Sequence, residues 1–247
     1  MLAAKEIGMS QPLRGKVALV VGASSGIGKA AATMLAREGA TVTAAARRRE
    51  RLESLQAELS SVGIEISISA ADASNQTAME ELAHRAGEVD ILVYAAGTNT
   101  PDRAMHRLRP DIWRHLLSAN LDGAYYITHA LLDGMRARRS GHLIYVSSIS
   151  AYGLGDVSGA AYQASKRGLL GLAHAIRTEE KQNGIRTCVI SPGLVDTEIL
   201  SLRPAPTPSE TVAKALRAED VAEAILWVAK LPQRASVPEM LLLPAEL

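Results

Sequence analysis

Phenylalanine is missing altogether from these 247 residues, and only two tryptophans and six tyrosines supply aromatic bulk. Aliphatic side chains must therefore fill the core. There is one cysteine, Cys188, which excludes an internal disulfide. Its setting in Thr187-Cys188-Val189-Ile190 reads as a buried strand position and fits a reducing compartment. Charge of one sign is not in excess either, with 27 basic against 26 acidic residues. A chain so balanced offers no overall field that selects nucleic acid or a membrane surface. No apolar run is long enough for a membrane span or, within Met1 to Arg14, for a signal peptide. Residues 1–14 are expected to form a loose arm and the protein to be cytoplasmic. His84, His106, His115, His129, His142 and His174 show no ligand spacing with carboxylates or the cysteine, which argues against a metal.

What is present is an alternation of short apolar runs with helical periods. Val17 to Val21 is unbroken and apolar, as a strand covered on both faces must be. After it, Ile27, Ala30, Ala31, Met34 and Leu35 recur with the period of a helix lying on a sheet. Thr41 to Ala46 starts a second unit, with Leu52, Leu55 and Leu59 on one helix face. Ile64, Ile66 and Ile68 alternate with polar residues and predict a half-exposed edge strand. Helices are predicted over Asn75 to Gly87, about Asp111 to Arg138, Ala161 to Gln182 and Glu219 to Lys230. Strands are predicted over Ile91 to Val93, Leu143 to Val146, Ile185 to Ile190 and near Met240 to Leu243. The pattern specifies one α/β domain: a doubly wound parallel sheet of about seven strands in a Rossmann-like three-layer α/β/α sandwich. Its ligand crevice would lie at the carboxyl ends of the strands. Residues 198–216, with their proline-rich piece Arg203 to Pro208, are expected to be a loop over that crevice.

Gly22, Gly26 and Gly28 are spaced G-x-x-x-G-x-G between the first strand and its helix. Glycines there let the backbone approach a pyrophosphate whose charge is met by the first amides of the helix. At the end of the second strand, where an NAD-binding fold presents an acidic residue to the ribose, stand Ala46, Arg47 and Arg48. Guanidinium groups and no carboxylate favour a 2′-phosphate, hence NADP(H) over NAD(H). Three arginines without interleaved aromatics make a poor nucleic-acid surface.

Tyr162 and Lys166 are four residues apart and share a helix face. A fixed ammonium beside a phenol favours phenolate, so Tyr162 is a candidate for proton exchange with an alcohol or ketone. Ser148 ends a buried strand at the crevice. Asn120 sits within a long helical stretch, where asparagine is unfavourable unless it bonds something.

Gly22 to Gly28, Asn120, Ser148, Tyr162 with Lys166, and Pro192-Gly193-Leu194-Val195-Asp196-Thr197 together resemble the short-chain dehydrogenase/reductase family, over roughly Leu13 to the C-terminus. The resemblance implies a carbonyl/secondary-alcohol oxidoreductase with Tyr162 as general acid and base. Lys166 would bind the nicotinamide ribose and depress the tyrosine pKa, Ser148 would orient the substrate oxygen, and Asn120 would hold a water of a proton relay. Asp72 would lie by the adenine and Thr197 by the carboxamide. The implied cofactor site comprises Gly22, Ser24, Ser25, Gly26, Ile27, Gly28, Arg47, Arg48, Asp72, Ala73, Ala96, Gly97, Tyr162, Lys166, Pro192, Gly193, Val195 and Thr197.

The chain departs from the family pattern in three places. Tyr94-Ala95-Ala96-Gly97 stands where the family has Asn-Asn-Ala-Gly, Val21 replaces a common threonine, and the stretch from Ser148 to Tyr162 is one residue longer than expected. The same reaction with NAD(H) is the runner-up. A catalytically idle dinucleotide-binding sensor or scaffold is the alternative from another class, with Tyr94-Ala95 as its best support. Ala164, Gly168, Gly171 and Ala175 form a small-residue stripe that fits either close packing within the chain or a symmetry mate, and relatives of this kind form dimers and tetramers. A homo-oligomer, a homotetramer in particular, is expected. Trp113 and Trp227 read as packing residues. The substrate, a small carbonyl or alcohol, would be enclosed by residues 98–106, 152–157, with Tyr152 as a wall, and 194–211.

Overall fold

A computed structural model describes residues 11–153 and 158–246. The first ten residues of the expected arm and positions 154–157 of the expected pocket wall lie outside the described residues; the rest of the arm is not loose, since Leu13 is buried in the core and donates its N–H to the Glu38 carbonyl. Seven parallel strands form one sheet in the order β3-β2-β1-β4-β5-β6-β9. They are β1 (Val17–Val21), β2 (Thr41–Ala46), β3 (Ser67–Ala70), β4 (Ile91–Tyr94), β5 (Gly141–Val146), β6 (Ile185–Pro192) and β9 (Glu239–Leu242). The order reverses between β1 and β4, and a crevice opens there at the carboxyl ends.

Alternate residues of each strand serve opposite layers, as a two-residue side-chain period requires. Ala18, Val20, Ala44, Val93, Ile144 and Ile190 join the core beneath α1 (Gly26–Arg37), α2 (Arg49–Ser60) and α8 (Ala218–Ala229). Leu19, Val21, Ala45, Leu92, Leu143 and Val189 join the other, beneath α3 (Gln76–Ala86), α5 (Gly123–Arg138) and α6 (Ala160–Glu180). Cys188 is fully buried in the first of these cores. The aromatic rings at the centre of the sheet are tyrosines, and both hydroxyls are bonded: Tyr94 donates to the Ala119 carbonyl at 2.6 Å and Tyr145 pairs with Thr128 at 2.8 Å. Bonding matters because an unpaired hydroxyl at that depth is costly.

Four expectations need correction. Pairing of β3 begins only at Ser67, opposite Thr43; Ile64 instead donates its N–H to the Leu59 carbonyl as the chain turns off α2. Secondly, the long helix over 111–138 is two helices, α4 (Pro110–Leu117) and α5, joined by a π-helical turn over Ser118–Asp122. Such a turn inserts a residue into the ladder and re-aims the side chains on it. Trp227 is half exposed on α8 rather than packed in the core. Tyr152 does not wall the crevice, since its hydroxyl donates to the Glu239 carboxylate in β9. Two further strands were not foreseen. β7 (Val195–Asp196) pairs with β8 (Leu216–Arg217) and pins both ends of the loop between them, which also carries α7 (Ser209–Ala213). No helix among the described residues is long and apolar enough to cross a membrane.

Candidate active site

The glycine turn is crowded by backbone. A Cβ on Gly28 would lie 2.2 Å from the Gly22 carbonyl oxygen, and one on Gly22, where φ is +93°, would lie 2.5 Å from the Ala96 nitrogen. Any side chain there collides with main chain. Ser25, the N-cap of α1, makes no side-chain bond to its own helix, so the first-turn amides stay available to an anion. Thr197 arches over the turn, its Cγ2 3.0 Å from the position a Cβ on Gly26 would take. The space bounded by these residues is a crevice of about 560 Å³ that runs from Arg47 and Arg48 to Tyr162.

At the far end, the end of β5 and the second turn of α6 are stitched together. Ser147 donates its hydroxyl to the Lys166 carbonyl at 2.9 Å, and the Lys166 ammonium donates to the Val146 carbonyl at 2.9 Å. That registration leaves Ser148, not Ser147, hydrogen-bonded to Tyr162. Ser148 also donates to Ser150 at 3.1 Å, and Ser150 pairs with Ser158 at 2.6 Å, a row of hydroxyls along the wall. Tyr162 is half-buried, with the Lys166 ammonium 5.7 Å from its ring centre.

The expectation that Lys166 makes the phenol acidic is not met in the chain alone. Burial raises the Tyr162 pKa above the ordinary tyrosine value, while the Ser148 hydrogen bond and the charge of Arg103 pull it the other way. Burial also holds the Lys166 ammonium down to about 8. A cation taken out of water is less readily charged than a free lysine, and its bond to the Val146 carbonyl only partly opposes this. At the opposite end, burial would raise the Asp72 carboxyl, but bonds from Ser74 with the charges of Arg47 and His115 bring it below its usual value.

Gly22, Ser24, Ser25, Gly26, Ile27, Gly28, Arg47, Arg48, Asp72, Ala73, Ala96, Gly97, Ser148, Tyr162, Lys166, Gly193, Val195 and Thr197 all line this one crevice. Asn120 and Pro192 do not. Pro192 ends β6 against Leu242. Asn120, fully buried in the π-helical turn, accepts from the Thr98 N–H at 2.8 Å and donates to the Thr98 carbonyl at 3.0 Å and to Ser165 at 3.1 Å. Its side chain fixes the loop after β4. The Tyr94-Ala95 departure leaves that shelf in place, since Tyr94 turns away from the crevice and clamps Ala119.

Sequence reasoning passed over Glu198, Arg103 and Ser158. Arg103 lies within the segment read as pocket wall, but nothing local marked it as buried; its Nε donates to the Thr100 carbonyl at 2.7 Å and its Nη2 to that of Leu202. Asn99 ties this loop to the Ser158 carbonyl at 3.1 Å.

Residues 16–238 match the short chain dehydrogenase family model. The chain belongs to this family. Among curated relatives, a glycine betaine reductase of Emericella nidulans is 35% identical over 95% of this chain, which spans only 19% of that protein. An uncharacterized oxidoreductase of Staphylococcus aureus (strain USA300) is 33% identical over 94% of this chain and 98% of its own length. Among solved structures, a metagenomic short-chain oxidoreductase in complex with NADP superposes with a TM-score of 0.81 at 31% identity, covering 95% of this chain and 99% of that one. This short-chain dehydrogenase is thus an oxidoreductase with a Rossmann-like core, and its uncapped helix and glycine cradle fit a nicotinamide dinucleotide.

Proposed function

We propose that this chain interconverts a carbonyl and a secondary alcohol using NADP(H), with Tyr162 as general acid in reduction and general base in oxidation. The observation that carries the reading is the meeting of Tyr162, Ser148 and Lys166 on one wall of the crevice whose other end is the glycine turn. When bound, the nicotinamide cofactor supplies or accepts the hydride. Reduction of the carbonyl carbon leaves charge on its oxygen, and the Tyr162 hydroxyl, kept neutral by burial, gives that oxygen its proton. Ser148, bonded to Tyr162, would turn its one hydroxyl proton from Ser150 to the same oxygen. Lys166 passes beneath Gly97, where a Cβ would come within 3.2 Å of its ammonium, and stands ready to bind a ribose hydroxyl and to lend charge to the phenol. Asn120 positions residues 97–98 instead of touching substrate, and a water held near it would extend the proton path.

The preference for NADP(H) over NAD(H) rests on Ala46, Arg47 and Arg48 at the end of β2 and on the NADP held by a similar structure. A homodimer or homotetramer is part of the proposal: Ala164, Gly171 and Ala175 are exposed on α6, and only Gly168 of the small stripe is covered within the chain, by Leu121. The lone buried cysteine fits a cytoplasmic enzyme. The deciding experiment follows NADPH oxidation against a panel of small ketones and aldehydes, with Tyr162→Phe beside the wild type. Turnover that the variant loses while still binding NADPH is the expected result. Turnover that survives the substitution would remove Tyr162 from the chemistry.

A further inference from the structure

Arg48 is held on two sides. Its Nη2 donates to Ser25 at 2.8 Å and to Ser24 at 3.0 Å, both in the glycine turn, and its Nη1 donates to Glu198 at 2.8 Å. Arg51, one turn along on α2, donates to the other oxygen of the same carboxylate. Glu198 opens the 3-10 turn Glu198–Leu202, directly after Thr197, in the loop that hangs over the crevice. So a carboxylate carried by the substrate loop is gripped by two guanidiniums at the corner where β2 ends beside the glycine turn. That corner is where a dinucleotide fold receives the 2′ substituent of the adenosine ribose. A carboxylate shared by two guanidiniums meets them as a phosphate would, as an anion with paired acceptor oxygens, but with one negative charge against the phosphate's nearly two.

We propose that Glu198 is a resident competitor of the 2′-phosphate: it occupies Arg48 and Arg51 until a phosphate takes its place, and its release frees the substrate loop. The inference rests on the NADP(H) reading above. The side chains of Arg48, Glu198 and Arg51 are 38%, 52% and 43% exposed, so these ion pairs are weak and exchange with an arriving dianion is close to balanced. The two arginines pull the Glu198 carboxyl down to about 2, so it is a full anion at any working pH. Displacement also reaches the far end of the crevice. Thr197 on one side of Glu198 touches the glycine turn, and Leu202 on the other gives its carbonyl to Arg103 beside Tyr162. A cofactor with a free 2′-hydroxyl offers no anion to the arginines and leaves Glu198 where it is.

Dissociation constants for NADPH and NADH, measured by fluorescence titration of the wild type, Glu198→Gln and Glu198→Ala at one salt concentration, decide the matter. Both variants should bind NADPH about 3- to 10-fold more tightly and NADH within about twofold of the wild type. Glu198→Ala separates loss of charge from any new contact made by the amide. Hydrogen exchange of the amides in residues 199–203, beyond the contact of Thr197 with a nicotinamide common to both cofactors, should rise on NADPH binding and not on NADH binding, and should be high in both variants without cofactor. Weaker or unchanged NADPH binding in the variants would overturn the proposal, because Glu198 would then be holding the arginines in their binding pose. So would loop exchange that answers both cofactors alike. Adenosine 2′,5′-bisphosphate against 5′-AMP repeats the affinity test without nicotinamide. If no carbonyl is ever turned over, the catalytic reading fails while these affinities still judge Glu198.

Discussion

The two ends of the crevice are held by different means. At the glycine turn, main chain meets main chain: the Gly22 carbonyl, the Ala96 nitrogen and the start of α1 leave no room for a Cβ. At the Tyr162 end, three segments distant in sequence are tied by side chains: Arg103 to the carbonyls of Thr100 and Leu202, Asn99 to that of Ser158, and Ser150 to Ser158. A backbone-built site tolerates no substitution, because neither partner can move without unmaking the sheet. A site built from side chains can be altered contact by contact, which suits the part of an enzyme that chooses its substrate.

Breaking the first end should therefore have the largest effect. Gly28→Ala forces a Cβ into the Gly22 carbonyl, and saturable NADPH binding by calorimetry should be lost altogether, with Gly22→Ala behaving alike. Retained binding in either would mean that the turn does not approach the cofactor. At the second end, Tyr162→Phe should lower kcat by about 10²- to 10⁴-fold, the usual worth of a positioned acid, with the NADPH dissociation constant unchanged.

Lys166 stands between the ends, and its proton can be followed through stability. Its pKa is held at about 8 in the fold against an ordinary 10.5. Between those values the unfolded chain binds the extra proton and the folded chain does not, so unfolding free energy rises with pH across that window and the full penalty remains below pH 8. In urea titrations the cofactor-free wild type should gain up to about 3 kcal/mol over this range relative to Lys166→Met. A flat difference would show the ammonium to be well solvated.

Smaller effects sharpen the contrast. Asn99→Ala, which unties the 98–109 loop from Ser158, should raise KM for the carbonyl by about 3- to 10-fold and leave cofactor affinity alone, as the loss of one hydrogen bond would. An equal loss of cofactor affinity would show the two ends to be one mechanical unit. Smallest for the folded chain is Gly171→Arg on the open face of α6, where a Cβ meets nothing within 4 Å. It should split the proposed oligomer in light scattering without lowering the melting temperature of the monomer, and a wild type that is itself monomeric would remove the oligomer from the proposal.

The features legible in the sequence are those decided by near neighbours. Val17 to Val21, the three glycines and the helix after them lie within one strand-turn-helix unit, and Tyr162 with Lys166 within one helical turn. For the same reason the β3 boundary was missed: alternation at Ile64, Ile66 and Ile68 gives a period, but pairing with Thr43 sets where the strand begins. The π-helical turn showed in the sequence only as an asparagine out of place in a helix, because the group that Asn120 bonds, Thr98, lies 22 residues away. Glu198 looked like a loop acid until the fold brought it to Arg48, 150 residues distant.

By itself the sequence determined the succession of the seven sheet strands, the glycine cradle, and the phenol and ammonium on one helix face, because period and steric exclusion act over a few residues. Only the tertiary structure decided that burial raises the Tyr162 pKa, that Ser148 rather than Ser147 reaches it, and that an acid in the loop after β7 pairs with Arg48 and Arg51. Desolvation and charge pairing depend on what the folded chain brings close, and distance along the chain does not carry that information.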